Sequence, residues 1–207
     1  MTHPLFGSHR PLVAILRGIA PGEAAAVFDA LVEAGITLIE VPLNSPEPFV
    51  SIETMAKRAN GAAKVGAGTV LKPGDVDSVK DSGGTIIVSP NADPAVIRRT
   101  KELALESYPG VFTPTEAFSA IAAGADALKF FPAELIGPAG IRAMKAVLPK
   151  DLPVLAVGGA NADNFSEFLK AGCSGFGIGS FLYKPGASIA DVAARAREVV
   201  AAFDAAA

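Results

Sequence analysis

Lys129 is the residue in this chain most suited to chemistry, because it stands among apolar neighbours in Ala127-Leu128-Lys129-Phe130-Phe131-Pro132. An ammonium in such a segment carries a large desolvation cost unless something uses it. The cost is also useful, since an apolar surrounding draws an amine from about 10.4 toward the range of about 7 to 8 in which it is a nucleophile. The alternative for Lys129 is a snorkelling or ion-paired surface side chain. Glu40 lies in an equally apolar run, Leu38-Ile39-Glu40-Val41-Pro42. Burial there raises a carboxyl pKa and suits the group to exchanging protons with carbon or a carbinolamine. Its alternative is an ion pair with Lys129 that merely tolerates two awkward groups. An ionised Glu40 in direct contact would keep the lysine protonated, so a water or the substrate is expected between them.

Two further residues could hold a carboxylate: Arg17 as a charged donor and Thr69, in Gly66-Ala67-Gly68-Thr69-Val70, as a neutral one. Thr69 also reads as a plain β-branched strand residue. Gly158-Gly159 and Gly177-Ile178-Gly179-Ser180 follow late apolar runs, where backbone N–H groups can grip a phosphate; tight turns are the alternative. The only histidines, His3 and His9, precede the first apolar run, so neither a zinc-type site nor any other metal is expected. Cys173, the single cysteine, sits in an apolar stretch and reads as a core residue.

These residues need elements to position them. Eight short runs rich in Val, Ile and Leu alternate with amphipathic stretches: Leu12–Arg17, Thr37–Leu43, Lys64–Val70, Thr85–Ser89, Leu105–Tyr108, Ala127–Phe131, Val154–Val157 and Gly175–Gly179. This is the pattern of βα units on a parallel sheet. Helix starts are signalled at Pro21-Gly22-Glu23, Pro73-Gly74-Asp75, Thr113-Pro114-Thr115-Glu116 and Asn161-Ala162-Asp163, and helix ends at Gly35, Gly83, Gly124 and Gly172. No Gly-x-Gly-x-x-Gly follows the first run, so the expected fold is α/β, a single-domain (β/α)8 TIM barrel over residues 1–207, rather than an open doubly wound sheet. The Ala-rich stretch Ala201–Ala207 reads as the fraying end of the last helix. In such a barrel the active site gathers at the carboxyl ends of the strands, where Arg17, Glu40, Thr69 and Lys129 fall.

Composition narrows the partners. The net charge of −3, with both signs scattered, offers no basic stripe for nucleic acid. Apolar stretches are broken well before the roughly 20 residues a membrane span needs. With one cysteine and no basic, apolar leader at the start, a cytoplasmic location is expected.

The motifs Ala14-Ile15-Leu16-Arg17-Gly18, Ile39-Glu40-Val41-Pro42-Leu43-Asn44-Ser45-Pro46, Gly66-Ala67-Gly68-Thr69-Val70-Leu71, Pro109-Gly110-Val111, Leu128-Lys129-Phe130-Phe131-Pro132 and Val157-Gly158-Gly159 together resemble the 2-keto-3-deoxy-6-phosphogluconate/6-phosphogalactonate aldolase family. The likeness spans essentially the whole chain. It implies that Lys129 forms a Schiff base with the substrate ketone, that Glu40 moves protons, and that carbon–carbon cleavage releases pyruvate and glyceraldehyde 3-phosphate. Arg17 and Thr69 would serve the carboxylate, and Gly158, Gly159, Gly179 and Ser180 the phosphate. A homotrimer without cofactor or metal is implied as well. The gluconate branch usually reads Glu-Val-Thr-Leu-Arg-Thr where this chain has Glu40-Val41-Pro42-Leu43-Asn44-Ser45, and usually has threonine at Val157. Both departures resemble the galactonate branch, with the gluconate epimer as the alternative substrate. Phe112 stands where smaller residues are common, which bears on pocket shape.

Three rival readings remain at this level. A phosphosugar isomerase or epimerase would use the phosphate grip and a carboxylate but no buried lysine. A non-catalytic phosphosugar-binding protein would bind without turnover. A broader pyruvate aldolase would also accept unphosphorylated acids.

Overall fold

The computed structural model describes residues 3–207; the first two residues of the expected domain lie outside it. Nine parallel strands form the sheet: β1 (Leu12–Ile15), β2 (Leu38–Pro42), β3 (Lys64–Gly68), β4 (Ile86–Val88), β5 (Glu106–Tyr108), β6 (Gly110–Val111), β7 (Leu128–Phe130), β8 (Val154–Val157) and β9 (Gly175–Ile178). Their order, β5-β4-β3-β2-β1-β9-β8-β7-β6, is closed by the chain itself, because β5 pairs with β4 and β6 with β7. The fifth apolar run is thus one stave in two pieces. Pro109 between them has no N–H to donate, but its carbonyl accepts from Lys129 N–H at 2.9 Å and keeps the stave in the ladder. The fold is a (β/α)8 barrel, as the alternation predicts.

Eight helices surround the strands: α1 (Pro21–Ala34), α2 (Pro48–Ala59), α3 (Pro73–Asp81), α4 (Pro94–Glu102), α5 (Pro114–Ala123), α6 (Ala133–Lys145), α7 (Phe165–Lys170) and α8 (Ile189–Ala206). Each of α1 to α5 opens on proline, whose fixed φ and missing N–H suit the first helical position. Gly35 and Gly124 end α1 and α5 in the left-handed conformation the spacing predicts. One predicted start is wrong. Asn161-Ala162-Asp163 forms a turn, with the Asn161 side chain accepting from Asp163 N–H at 2.9 Å, and α7 begins only at Phe165. An Asx turn competes with the N-cap for the same side chain, and here the turn wins. The last helix does not fray at Ala201 either. It runs to Ala206, buries Phe203, and pairs Asp204 with Arg10 at 2.8 Å.

Side chains alternate along each strand. Leu12, Ala14, Ile39 and Val41 pack outward in the cluster shared with the helices, whereas Val13, Ile15, Leu38, Ile86, Val88, Leu155 and Val157 fill the lumen. Glu40 is two residues from Leu38, and Lys129 two from Ala127, so both point into the lumen at its carboxyl end. The amino end is plugged by Phe6, fully buried within the same lumen cluster, on the short 3-10 turn Pro4–Phe6. Beside it Lys64 donates to Leu5 O at 2.9 Å and pairs with Glu106, which accepts from Tyr108 Oη at 2.6 Å. Phe6→Ala would open a cavity at this floor. A loss of about 3–5 kcal/mol is expected in urea unfolding, and a loss below about 1 kcal/mol would mean that Phe6 is no plug.

Candidate active site

The register of the strands sets the site. Glu40 on β2 lies opposite Ile15 of β1 and Gly66 of β3, and Lys129 on β7 lies opposite Gly110 of β6 and Leu155 of β8. Lys129 is 6% exposed and Glu40 1%. Both line a void of about 10 Å³ with Val13, Ile15, Val88, Tyr108, Leu155, Val157 and Gly177, a space on the scale of a single water. No direct hydrogen bond or ion pair joins them among the described residues, and Glu40 Oε2 has no partner at all. Lys129 Nζ instead sits 4.7 Å from the centroid of the Phe131 ring. The Glu40–Lys129 ion pair therefore does not form.

Glu40 occupies space that Gly68 vacates: a Cβ on Gly68 would overlap its carboxylate. Burial pushes the Glu40 carboxyl up to about 7, against the weaker opposing pull of Lys129 and Arg17. Burial likewise draws the Lys129 amine down, Glu40 opposing and Arg17 assisting. Burial thus favours the uncharged form of both groups, which suits the pair to exchanging protons in general acid–base work.

Above this pair opens a cleft of about 400 Å³, lined by Lys129, Phe131 and Val157 below and by the loops after β1, β8 and β9 above. Arg17, Gly158, Gly159, Gly179 and Ser180 line it. Arg17 Nη1 donates to Asn44 Oδ1 at 2.7 Å and stands 3.5 Å from Thr69 Oγ1, so Thr69 reaches the cleft through the arginine. Asn44 is neutral, so it orients the guanidinium without cancelling its charge. Thr69 is held at φ 57°, where a β-branched residue is strained; such strain gathers at functional sites. Gly158 and Gly159, at φ 92° and 76°, turn the chain at the cleft rim, and Gly179 and Ser180 lie in the turn after β9. Gly177 and Ile178 are within that strand, inside the run Gly175–Gly179. Phe112 does not line the cleft.

Sequence reasoning missed Lys184, Asn161 and Phe131, all of which line the cleft. Only Phe131 carried a signal, two residues from Lys129 on the same strand face. A broader groove of about 1160 Å³ lies at the opposite end of the barrel, where Arg10 pairs with Asp204 and His9 hydrogen-bonds Thr37 at 2.7 Å. The Cys173 thiol beside it is pushed up to about 12 by burial and is not a thiolate at neutral pH. Among the described residues no three of His, Cys, Asp or Glu stand where they could hold a metal ion, and no helix is long and apolar enough to cross a membrane.

A model of the KDPG and KHG aldolase family matches residues 8–196. The chain is 54% identical to a probable 2-dehydro-3-deoxy-6-phosphogalactonate aldolase of Rhizobium meliloti (strain 1021), over 98% of this chain and 95% of that one. It is 47% identical to the 2-dehydro-3-deoxy-6-phosphogalactonate aldolase of Escherichia coli (strain K12), over 93% of this chain and 94% of the relative. A solved structure described as native KDPGal superposes with a TM-score of 0.93 at 46% identity, covering 95% of each chain.

Proposed function

The chain belongs to the KDPG and KHG aldolase family, and we propose that it cleaves 2-dehydro-3-deoxy-6-phosphogalactonate through a Schiff base on Lys129. The observation that carries the proposal is the buried, unpaired couple of Lys129 and Glu40 beneath an open cleft. The neutral amine adds to the C2 ketone, and the carbinolamine loses its hydroxyl as water to leave a protonated imine. Removal of the C4 hydroxyl proton breaks the C3–C4 bond. Its electron pair passes into the imine, giving an enamine on Lys129 and free D-glyceraldehyde 3-phosphate. Protonation of the enamine carbon and addition of water then release pyruvate and restore the amine. Glu40, beside Lys129 and raised to about 7, is placed to carry these protons directly or through one water. Arg17, steadied by Asn44 and Thr69, holds the carboxylate of the pyruvate half, and the N–H groups of Gly158, Gly159, Gly179 and Ser180 hold the phosphate.

The galactonate epimer is favoured by the names of the two relatives and by Val157, which lines the cleft where a threonine would add a hydroxyl near C4. Pyruvate release should be measured with both phosphorylated epimers. Faster turnover of the galactonate compound supports the reading, whereas preference for the gluconate epimer overturns the substrate assignment. Val157→Thr should shift the ratio of kcat/KM toward the gluconate epimer by about tenfold; no shift would remove residue 157 from the stereochemical choice. The proposed role lies in galactonate catabolism in the cytoplasm, a reducing setting that suits the single buried thiol of Cys173. A homotrimer is proposed on the exposed apolar side chains of Leu71, Phe112, Phe118 and Leu135, on segments that follow β3, β6 and β7.

A further inference from the structure

We propose that Lys184 is the cation that pairs with the substrate phosphate and makes the site selective for phosphorylated acids. This inference rests on the reading that the phosphate lies against the loops after β8 and β9. Three cationic side chains line the cleft: Arg17, Lys129 and Lys184. In the proposed reaction Lys129 is consumed as the imine and Arg17 is engaged by Asn44 and Thr69 at the carboxylate end. The groups assigned to the phosphate, the backbone N–H groups of Gly158, Gly159, Gly179 and Ser180, are neutral. The Glu134 carboxylate also lies against Gly159, where a Cβ would come 2.7 Å from its Oε2. A dianion bound there lacks a counter-charge unless Lys184 supplies it.

Lys184 is available for that task. The ion pairs among the described residues do not include it, and its side chain is exposed. Its backbone, in contrast, is fixed. Leu182 and Tyr183 are buried, and their N–H groups donate to Gly179 O at 2.9 and 3.0 Å. Tyr183 Oη donates to Glu23 Oε2 at 3.1 Å, and Ala187 N–H donates to Lys184 O at 3.0 Å. On the other side Pro185 packs on Gly18, where a Cβ would approach Pro185 Cγ to 2.7 Å. A mobile ammonium on a rigid base at the cleft rim suits a ligand that must enter and leave.

The test compares wild type, Lys184→Gln, Lys184→Arg and Ser180→Asp on 2-dehydro-3-deoxy-6-phosphogalactonate and on its unphosphorylated counterpart. Lys184→Gln should raise KM for the phosphorylated acid by about tenfold, with kcat little changed and kcat/KM for the unphosphorylated acid unaltered. Lys184→Arg should restore most of the loss. Ser180→Asp places a negative charge at the same anion and should also raise that KM. An unchanged KM in Lys184→Gln with a raised KM in Ser180→Asp overturns the role of Lys184 and leaves the phosphate site standing. No change in either variant overturns both. An equal loss on both substrates shows a structural role and likewise overturns the proposal.

Discussion

Turnover by a Lys129→Met variant is expected to fall by roughly 10⁴-fold or more, the scale on which removal of a nucleophile acting as part of a unit is felt. The prediction follows from burial. Methionine is close to lysine in shape and fits beside Phe131 and among Leu155 and Val157 without carrying a charge into the lumen. The variant should therefore be at least as stable as the wild type, whose ammonium is desolvated at this position. A folded variant that has lost activity identifies chemistry; one that retains more than about a tenth of the wild-type kcat would remove Lys129 from the reaction.

Glu40→Gln is expected to lower kcat by roughly 10²–10⁴-fold, the usual weight of a positioned acid–base group. Pyruvate capture should survive, with a signed change. The Glu40 carboxylate favours the Lys129 ammonium, so its removal should let the amine lose its proton at lower pH and shift the acid limb of adduct formation downward. The same carboxyl bears on stability. Its pKa rises from 4.5 in the unfolded reference to about 7 in the fold, so between those values the native state holds a proton that the unfolded chain has lost. Wild-type stability should fall across that window as pH rises, and Glu40→Gln should escape the fall. The gain of the variant over wild type in urea unfolding should accordingly be larger at about pH 8 than at about pH 4. A gain independent of pH would mean that Glu40 is not desolvated as its burial indicates.

The fold was legible because its signals are local. Short apolar runs bounded by turn residues, such as Val154–Val157, read as strands covered on both faces, and a proline before an amphipathic stretch marks a helix start. The positions of Lys129 and Glu40 were legible for a related reason: a lone charge in an apolar strand, at the face set by its alternation, has few places to go. What escaped depends on contacts between distant segments. Gly68 reads as a strand glycine until the Glu40 carboxylate is seen in the space its missing side chain leaves. Asn44 reads as a loop residue until Arg17 is found donating to it. Asn161 satisfies the N-cap rule in sequence, yet its side chain closes a turn four residues before the helix begins at Phe165. Lys184 resembles any surface lysine, and only the folding of the β9 turn against α1 and Gly18 brings it to the cleft.

The central claim, a pyruvate-derived Schiff base on Lys129, is tested most directly by borohydride reduction in the presence of pyruvate followed by peptide mass spectrometry of the wild type and Lys129→Met. The account predicts a reduced pyruvate adduct on the peptide that contains Lys129, absent from the variant. A fully active wild type that yields no adduct, or an adduct mapped to another lysine, would contradict it.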